Sequence, residues 1–434
     1  MARRLVCFVG GYSRPRQADP FGVAVPYAQE ERVCQGVSSV EVDGRGRLRR
    51  ETLRAAVASG PNPSYLLGGG GVLYVANEVA LGDAESEPGV RAFRVATDAT
   101  DGGQGGAACA PLLRPLGDPV PTGGGYPCHL ELSADGGVLC VSHYGSGSVA
   151  GVQVCEGGAL GSSCGEVRFV GSGPDAARQE ASHAHCVAAD PLRPQDALCC
   201  DLGADRLHRL AVQPDGVVSG RSEELTTPSG GGPRALAWHP SGRFAYVVLE
   251  LAAKVAIYKR SEDGGELDTL VGVASTLPSD WPAPDDEPMH SRNGGRWTGS
   301  IAVSPNGRYV FVSNRLHDSI ARFAVDADSG LLALLGHTPT GGVCPRHVRL
   351  CAGGSLLVVA HQHTRTRCAR FEWTLRPVSR SMPIALQNSP TRAALRSSSS
   401  SCRRTMVSIY SLYQVRCRAA SLVDPQRRFA APAD

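Results

Sequence analysis

The chain has 434 residues, of which 42% are hydrophobic and 20% charged, so it can build one large all-β domain or a few ordinary ones around a sizeable core. Its 15 cysteines are odd in number, irregularly spaced and never arranged C-x-x-C, which argues against a disulfide framework, a zinc ribbon or a thioredoxin-type motif. The net charge of +3 hides an asymmetry: from Thr364 onward 13 arginines face three acidic residues, a balance of +10, which leaves −7 on residues 1–363.

The opening stretch "MARRLVCFVGGY" is basic but has too few apolar residues for a signal-peptide core, and no 18-residue apolar run follows. These features predict a soluble cytoplasmic protein without a membrane partner. Gly 52 and Pro 30 favour many turns and short strands. One unit then recurs along the chain: a turn, a short apolar strand, a "PxGR"-like turn, a second strand rich in Val, Tyr and Leu, and a polar ending. It runs through "NPSYLLGGGGVLYVANE" to Glu78, "YPCHLELSADGGVLCVSHY" to Tyr144 and "HCVAADPLRPQDALCCDLG" to Gly203. It continues through "PRALAWHPSGRFAYVVLE" to Glu250, "GSIAVSPNGRYVFVSNR" to Arg315 and "PRHVRLCAGGSLLVVAHQ" to Gln362.

Hairpins repeated at roughly 45 to 65 residues predict the blades of a β-propeller, because a lone hairpin cannot bury its apolar face and a ring of sheets can. The N-terminal "RLVCFVGGYS" supplies a seventh blade. The expected fold is therefore all-β, a seven-bladed propeller of four-stranded blades over residues 1–375, with the last blade incomplete. The Arg- and Ser-rich segment 376–434, which includes "ALRSSSSSCRRT", reads as a disordered or aberrant tail. It lacks the interleaved aromatics of a nucleic-acid binder, so no nucleic-acid partner is expected.

The segments "GSGSVAGVQV", "SHAHCVAADP", "DLGADRLHRLAV", "GGGPRALAWHPSGRFAYVVLEL", "SPNGRYVFVSNRLHDSIARFAVD" and "PTGGVCPRHVRL" occur in an order that resembles the seven-bladed propeller lactonase family. That family includes 6-phosphogluconolactonases and a carboxy-muconate cyclase. The resemblance implies hydrolysis of a sugar lactone, foremost 6-phosphogluconolactone in the pentose phosphate pathway. The alternatives are a muconate-type cycloisomerase or a non-catalytic binding propeller. Residue by residue, it carries the His-x-His motif to His183 and His185, a Pro-Arg pair to Pro233 and Arg234, an acidic residue to Glu250, a Ser-Asn-Arg to Asn314 and Arg315, and a second Pro-Arg to Arg346. Ala235, His143 and Ser300 depart from the family pattern.

Opening a lactone with water needs a base and groups that stabilise the developing oxyanion. His185, Glu250 and Arg234 are the expected catalytic residues, with Glu250 or His185 as base. His183, Arg315, Arg346 and Asn314 are the expected substrate-binding residues, the arginines suiting a phosphate or carboxylate. Alternation on a strand would turn His183 and His185 to one face, His185 reaching the channel and His183 supporting it from the rim. Taken singly, a strand-end histidine is more often structural, and the arginines can serve as clamps between blades. Convergence of these residues from several repeats favours the catalytic reading. No metal or cofactor is expected, since neither H-E-x-x-H nor a Walker loop occurs, and "GSSCG" at 161–165 lacks the strand-to-helix context of a nucleophile elbow. The expected partner is a small anionic lactone.

Overall fold

The computed structural model describes residues 5–11, 36–42, 48–84, 86–95, 113–261, 265–281, 297–362, 369–372 and 412–414. Among them there is no α-helix, only strands and two short 3-10 turns at Glu156–Gly158 and Ala352–Gly354. No helix among them is long and apolar enough to cross a membrane.

The strands gather into seven antiparallel sheets. Blade 1 contains Leu5–Val9, Val37–Val42 and Leu48–Val57. Blades 2 to 6 begin with the inner strands Pro63–Gly69, Pro127–Leu132, Ala184–Ala189, Pro233–Trp238 and Thr298–Val303. Blade 7 has three strands among the described residues: Pro345–Cys351, Leu356–His361 and Ala369–Glu372. The repeats read from sequence thus become blades, the last with three strands among the described residues. Residues 376–434 lie outside the described residues except for Leu412–Gln414. That short strand pairs with Leu5–Val9 and completes blade 1. It also touches the inner strands Pro63–Gly69 and Pro345–Cys351, so it bridges blade 2 to blade 7 and closes the ring. Part of the segment read as a tail therefore covers an edge that would otherwise stay open.

The core lies between blades rather than within one. The second strand of a blade is apolar on both faces, and Val72–Asn77, Val138–His143, Phe244–Leu249 and Leu356–His361 are buried throughout. Each face packs on a neighbour: Cys186, Leu198, Cys200 and Leu207 of blade 4 meet Leu236, Val247 and Tyr258 of blade 5, whose other face, through Tyr246 and Val248, meets Val310 and Phe323 of blade 6. This two-sided burial explains why the second strands read as unbroken apolar runs.

The blades are also clasped by the turn between their second and third strands. Asp205 and Asp318 both adopt left-handed φ angles, 52° each. Asp205 accepts from the Gly230 and Gly232 amides at 2.7 and 2.8 Å, and Asp318 accepts from the Cys344 amide at 2.6 Å, in each case just before the next inner strand. Ala253 holds the same conformation, φ 50°, without a carboxylate. Asp201, just ahead of this turn in blade 4, accepts from the amides of His183, Gly203 and Ala204 at 2.7, 3.1 and 3.2 Å.

Candidate active site

A local irregularity repeated in every inner strand from blade 2 to blade 7 builds the site. Pairing passes from Pro63 to Tyr65 against the consecutive residues Asn77 and Ala76, so Ser64 is an extra residue. The same bulge isolates Cys128, His185, Arg234 and Arg346, and in blade 6 it sets Gly299 and Ser300 against Ser313 alone. A bulge lifts a residue out of the ladder and re-aims its side chain. Ser64, Cys128, His185, Arg234, Ser300 and Arg346 accordingly all line one axial cavity of about 320 Å³. That volume is near the lower end of small-ligand sites, about 300–1,000 Å³. Four of these strands start at a proline, which has no amide to give to the ladder and suits a strand head. Glycine is required at 299, where a Cβ would stand 2.7 Å from the Arg346 carbonyl oxygen.

The residue after each second strand forms a further ring: Glu78, Tyr144, Leu202, Glu250, Arg315 and Gln362. Glu250 is 1% exposed and is gripped by three arginines. Arg178 Nη2 donates to Oε1 at 3.0 Å, Arg315 Nη1 donates to the same oxygen at 3.3 Å, and Arg234 Nε lies 2.6 Å from Oε2. The Arg178 and Arg315 guanidiniums sit 5.0 and 4.9 Å from the Trp297 ring. Arg234 also donates to the Gly299 carbonyl. Gln362 Oε1 accepts from Arg315 Nη2 at 3.1 Å and from Arg346 Nη1 at 3.4 Å.

The electrostatics separate the two candidate bases. Burial alone would raise the Glu250 carboxyl, but Arg178, Arg315 and Arg234 outweigh it and hold the group well below the carboxylate range. A carboxylate so stabilised is a poor proton acceptor, and Glu250 does not line the cavity. Its position suits holding Arg234 in place. His185 does line the cavity, and burial first, then Arg234, push its imidazole well below 6.5. It is therefore neutral at neutral pH, with a lone pair able to accept a proton. Burial lowers the Arg234 guanidinium to about 10, opposed by Glu250, and it stays charged.

Of the other expected site residues, Arg346 lines the cavity, whereas Arg315 stands behind it on Glu250. His183 differs from expectation. It precedes the strand, and the bulge at His185 breaks the alternation that would have aligned the pair. Its ring stacks on Tyr144 at 4.3 Å and its Nδ1 donates to the Tyr144 carbonyl at 2.9 Å, while His185 meets the same Tyr144 ring edge-on at 5.7 Å. Asn314 also differs: it is fully buried, and its Nδ2 donates to Thr276 O at 2.6 Å and Ser319 Oγ at 3.2 Å. It belongs with Asn77, His143, Asp201 and His361, the buried polar residues that end the second strands.

Sequence reasoning missed Arg178, Tyr144, Trp297 and Gln362. Tyr144 and Gln362 had a signal, since they end repeats as Glu250 and Arg315 do. Arg178 and Trp297 come from connecting segments and have no repeat position. Among the described residues, no three His, Cys, Asp or Glu side chains are grouped to hold a metal ion.

The family model described as "Lactonase, 7-bladed beta-propeller" matches residues 7–372. The chain belongs to the seven-bladed β-propeller lactonase family. This lactonase-family chain is 32% identical over 241 residues to the 6-phosphogluconolactonase of Bacillus subtilis (strain 168), an alignment covering 56% of this chain and 64% of that protein. It thus spans just under two thirds of that curated relative. Among solved structures, it resembles the periplasmic gluconolactonase PpgL of Pseudomonas aeruginosa at 26% identity and TM-score 0.66, covering 83% of this chain and 90% of that one. A putative 6-phosphogluconolactonase from Bacteroides fragilis shares the fold at 22% identity and TM-score 0.67, covering 95% of this chain and 98% of that one.

Proposed function

We propose that the protein hydrolyses a sugar lactone carrying an anionic group, foremost 6-phosphogluconolactone, at the axial cavity. The observation that carries this reading is the convergence of His185, Arg234 and Arg346, each lifted from its own blade by a bulge, on one small cavity. Membership of the lactonase family supports the reaction class.

In this reading the neutral His185 orients a water and takes its proton as the water attacks the lactone carbonyl. Arg234, held by Glu250 from behind, stabilises the oxyanion of the tetrahedral intermediate. The ring C–O bond then breaks, the proton passes to the departing ring oxygen, and the product carries a carboxylate. Arg346 takes the substrate's phosphate with its forked donors. Arg315 and Arg178 act through Glu250, and neither His183 nor Asn314 is assigned a contact with substrate. The test is whether the purified protein accelerates loss of 6-phosphogluconolactone above its spontaneous hydrolysis. The reading expects kcat/KM for this substrate to exceed that for unphosphorylated gluconolactone, with Arg346→Ala removing the difference. Absence of acceleration on either lactone would overturn it.

A further inference from the structure

One wall of the cavity has no part in this reaction. Cys186 lines it beside His129, and in the ladder Cys186 stands directly opposite Cys200. The Cys186 sulfur lies 3.5 Å from His129 Nε2. His129 Nδ1 accepts the Val187 amide at 3.4 Å, which leaves the ring proton on Nε2, within reach of the sulfur and of the Tyr65 hydroxyl at 3.0 Å. The protonated Cys186 thiol donates to the Val187 carbonyl at 3.7 Å. Cys200 across the ladder contributes most, and with His129, against burial, it holds the Cys186 thiol well below its ordinary range. Cys128, on the same wall, is the contrast. Its thiol donates to the Ala184 and His185 carbonyls at 3.7 and 3.5 Å, and burial pushes it up.

We propose that Cys186 and Cys200 form a peroxide-reactive thiol pair, Cys186 attacking the oxidant from the cavity wall and Cys200 resolving it as a disulfide. The Cys186 thiolate attacks one oxygen of hydrogen peroxide, the O–O bond breaks, and hydroxide leaves to be protonated to water. The Cys200 sulfur then attacks the resulting sulfenic acid. The S–S bond forms, the S–O bond breaks, and a second hydroxide leaves with the Cys200 proton as water. Two thiols are oxidised and one peroxide is reduced. Directly opposed residues of antiparallel strands have Cα atoms about 4.5–5.5 Å apart, inside the range of about 4.4–6.8 Å that a disulfide spans. Cys199 belongs to the core cluster on the other face of the blade and cannot take the place of Cys200.

The bond is read by mass without turnover, so its failure is distinct from failure of the lactone reading. Full-length reduced protein, treated with stoichiometric hydrogen peroxide and cleaved at Asp190 and Asp196 to separate the two cysteines, is expected to carry the 186–200 bond before the exposed Cys155 is oxidised. A dithiol reductant is expected to reverse it. In Cys200→Ser, whose hydroxyl keeps a donor but cannot resolve, dimedone is expected to trap Cys186 at least about tenfold more than Cys199. Oxidation of Cys155 or Cys199 ahead of Cys186, or an untrapped Cys186 in Cys200→Ser, overturns the proposal.

Discussion

His185 lines the cavity and Glu250 stands behind it, and the two differ in what surrounds them. Three guanidiniums spend the basicity of Glu250, whereas burial leaves the His185 imidazole neutral. If His185 is the base, its depressed pKa keeps it competent from neutral pH down past 6.5. The acid limb of kcat/KM on a phosphorylated lactone is then expected well below 6.5, and His185→Gln is expected to lower kcat by about 10²-fold while removing that limb. A limb near 6.5 that survives in His185→Gln would assign the proton to another group. Glu250→Gln makes a different prediction. It leaves Arg178, Arg234 and Arg315 buried without their counter-charge, so chemical denaturation is expected to find a loss of about 3–5 kcal/mol, with KM and kcat both impaired as Arg234 moves. A Glu250→Gln protein as stable as its parent would mean that water or another acid neutralises the arginines.

At the scale of the strand, the bulge and the clasp do most of the positioning, and they were unequally legible. The repeats, their turns and their apolar second strands stood out because burial on both faces leaves a continuous signal in the residues. The bulge left none, as it depends on pairing between strands. That is why plain alternation placed His183 beside His185, whereas Asn314 was expected at the substrate through the resemblance alone and ends a buried strand. Arg234, Arg346 and His185 were reached through the resemblance, and each sits one residue into an inner strand, the position the bulge exposes. The clasp yields a paired prediction. Asp318→Ala strands the buried Cys344 amide and is expected to cost about 1–3 kcal/mol. Ala253→Asn, at a left-handed position that asparagine tolerates better, is expected to gain a few tenths to about 1 kcal/mol. Thermal melts of the two variants should move in opposite directions.

For the whole molecule, the decisive element is the strand Leu412–Gln414, which no repeat announced. Its ladder with Leu5–Val9 and its contacts with blades 2 and 7 join the two ends of the chain. Deleting residues 376–434, the boundary suggested by composition, is expected to leave an uncovered strand edge between blades 1 and 7. Size-exclusion chromatography should then find association or aggregation, together with a lower melting temperature. A truncated protein that stays monodisperse with an unchanged melt would restore the reading of that segment as a dispensable tail.

Glu250 meets Arg178 across 72 residues of chain and Arg315 across 65. Arg234 comes from the same hairpin as Glu250, but the other two arginines come from elsewhere in the ring and are in place only once several blades have assembled. While the chain folds, the carboxylate can remain hydrated, and the cost of dehydrating it is met only when the arginines arrive together. The arginine cluster is in this sense a late product of folding, and in the proposed reading turnover reports completion of the ring. In refolding from denaturant, lactone hydrolysis is expected to return after far-UV circular dichroism has recovered, with a lag that lengthens in Asp318→Ala. Simultaneous recovery of both signals would mean that the arginine cluster forms with the first blades.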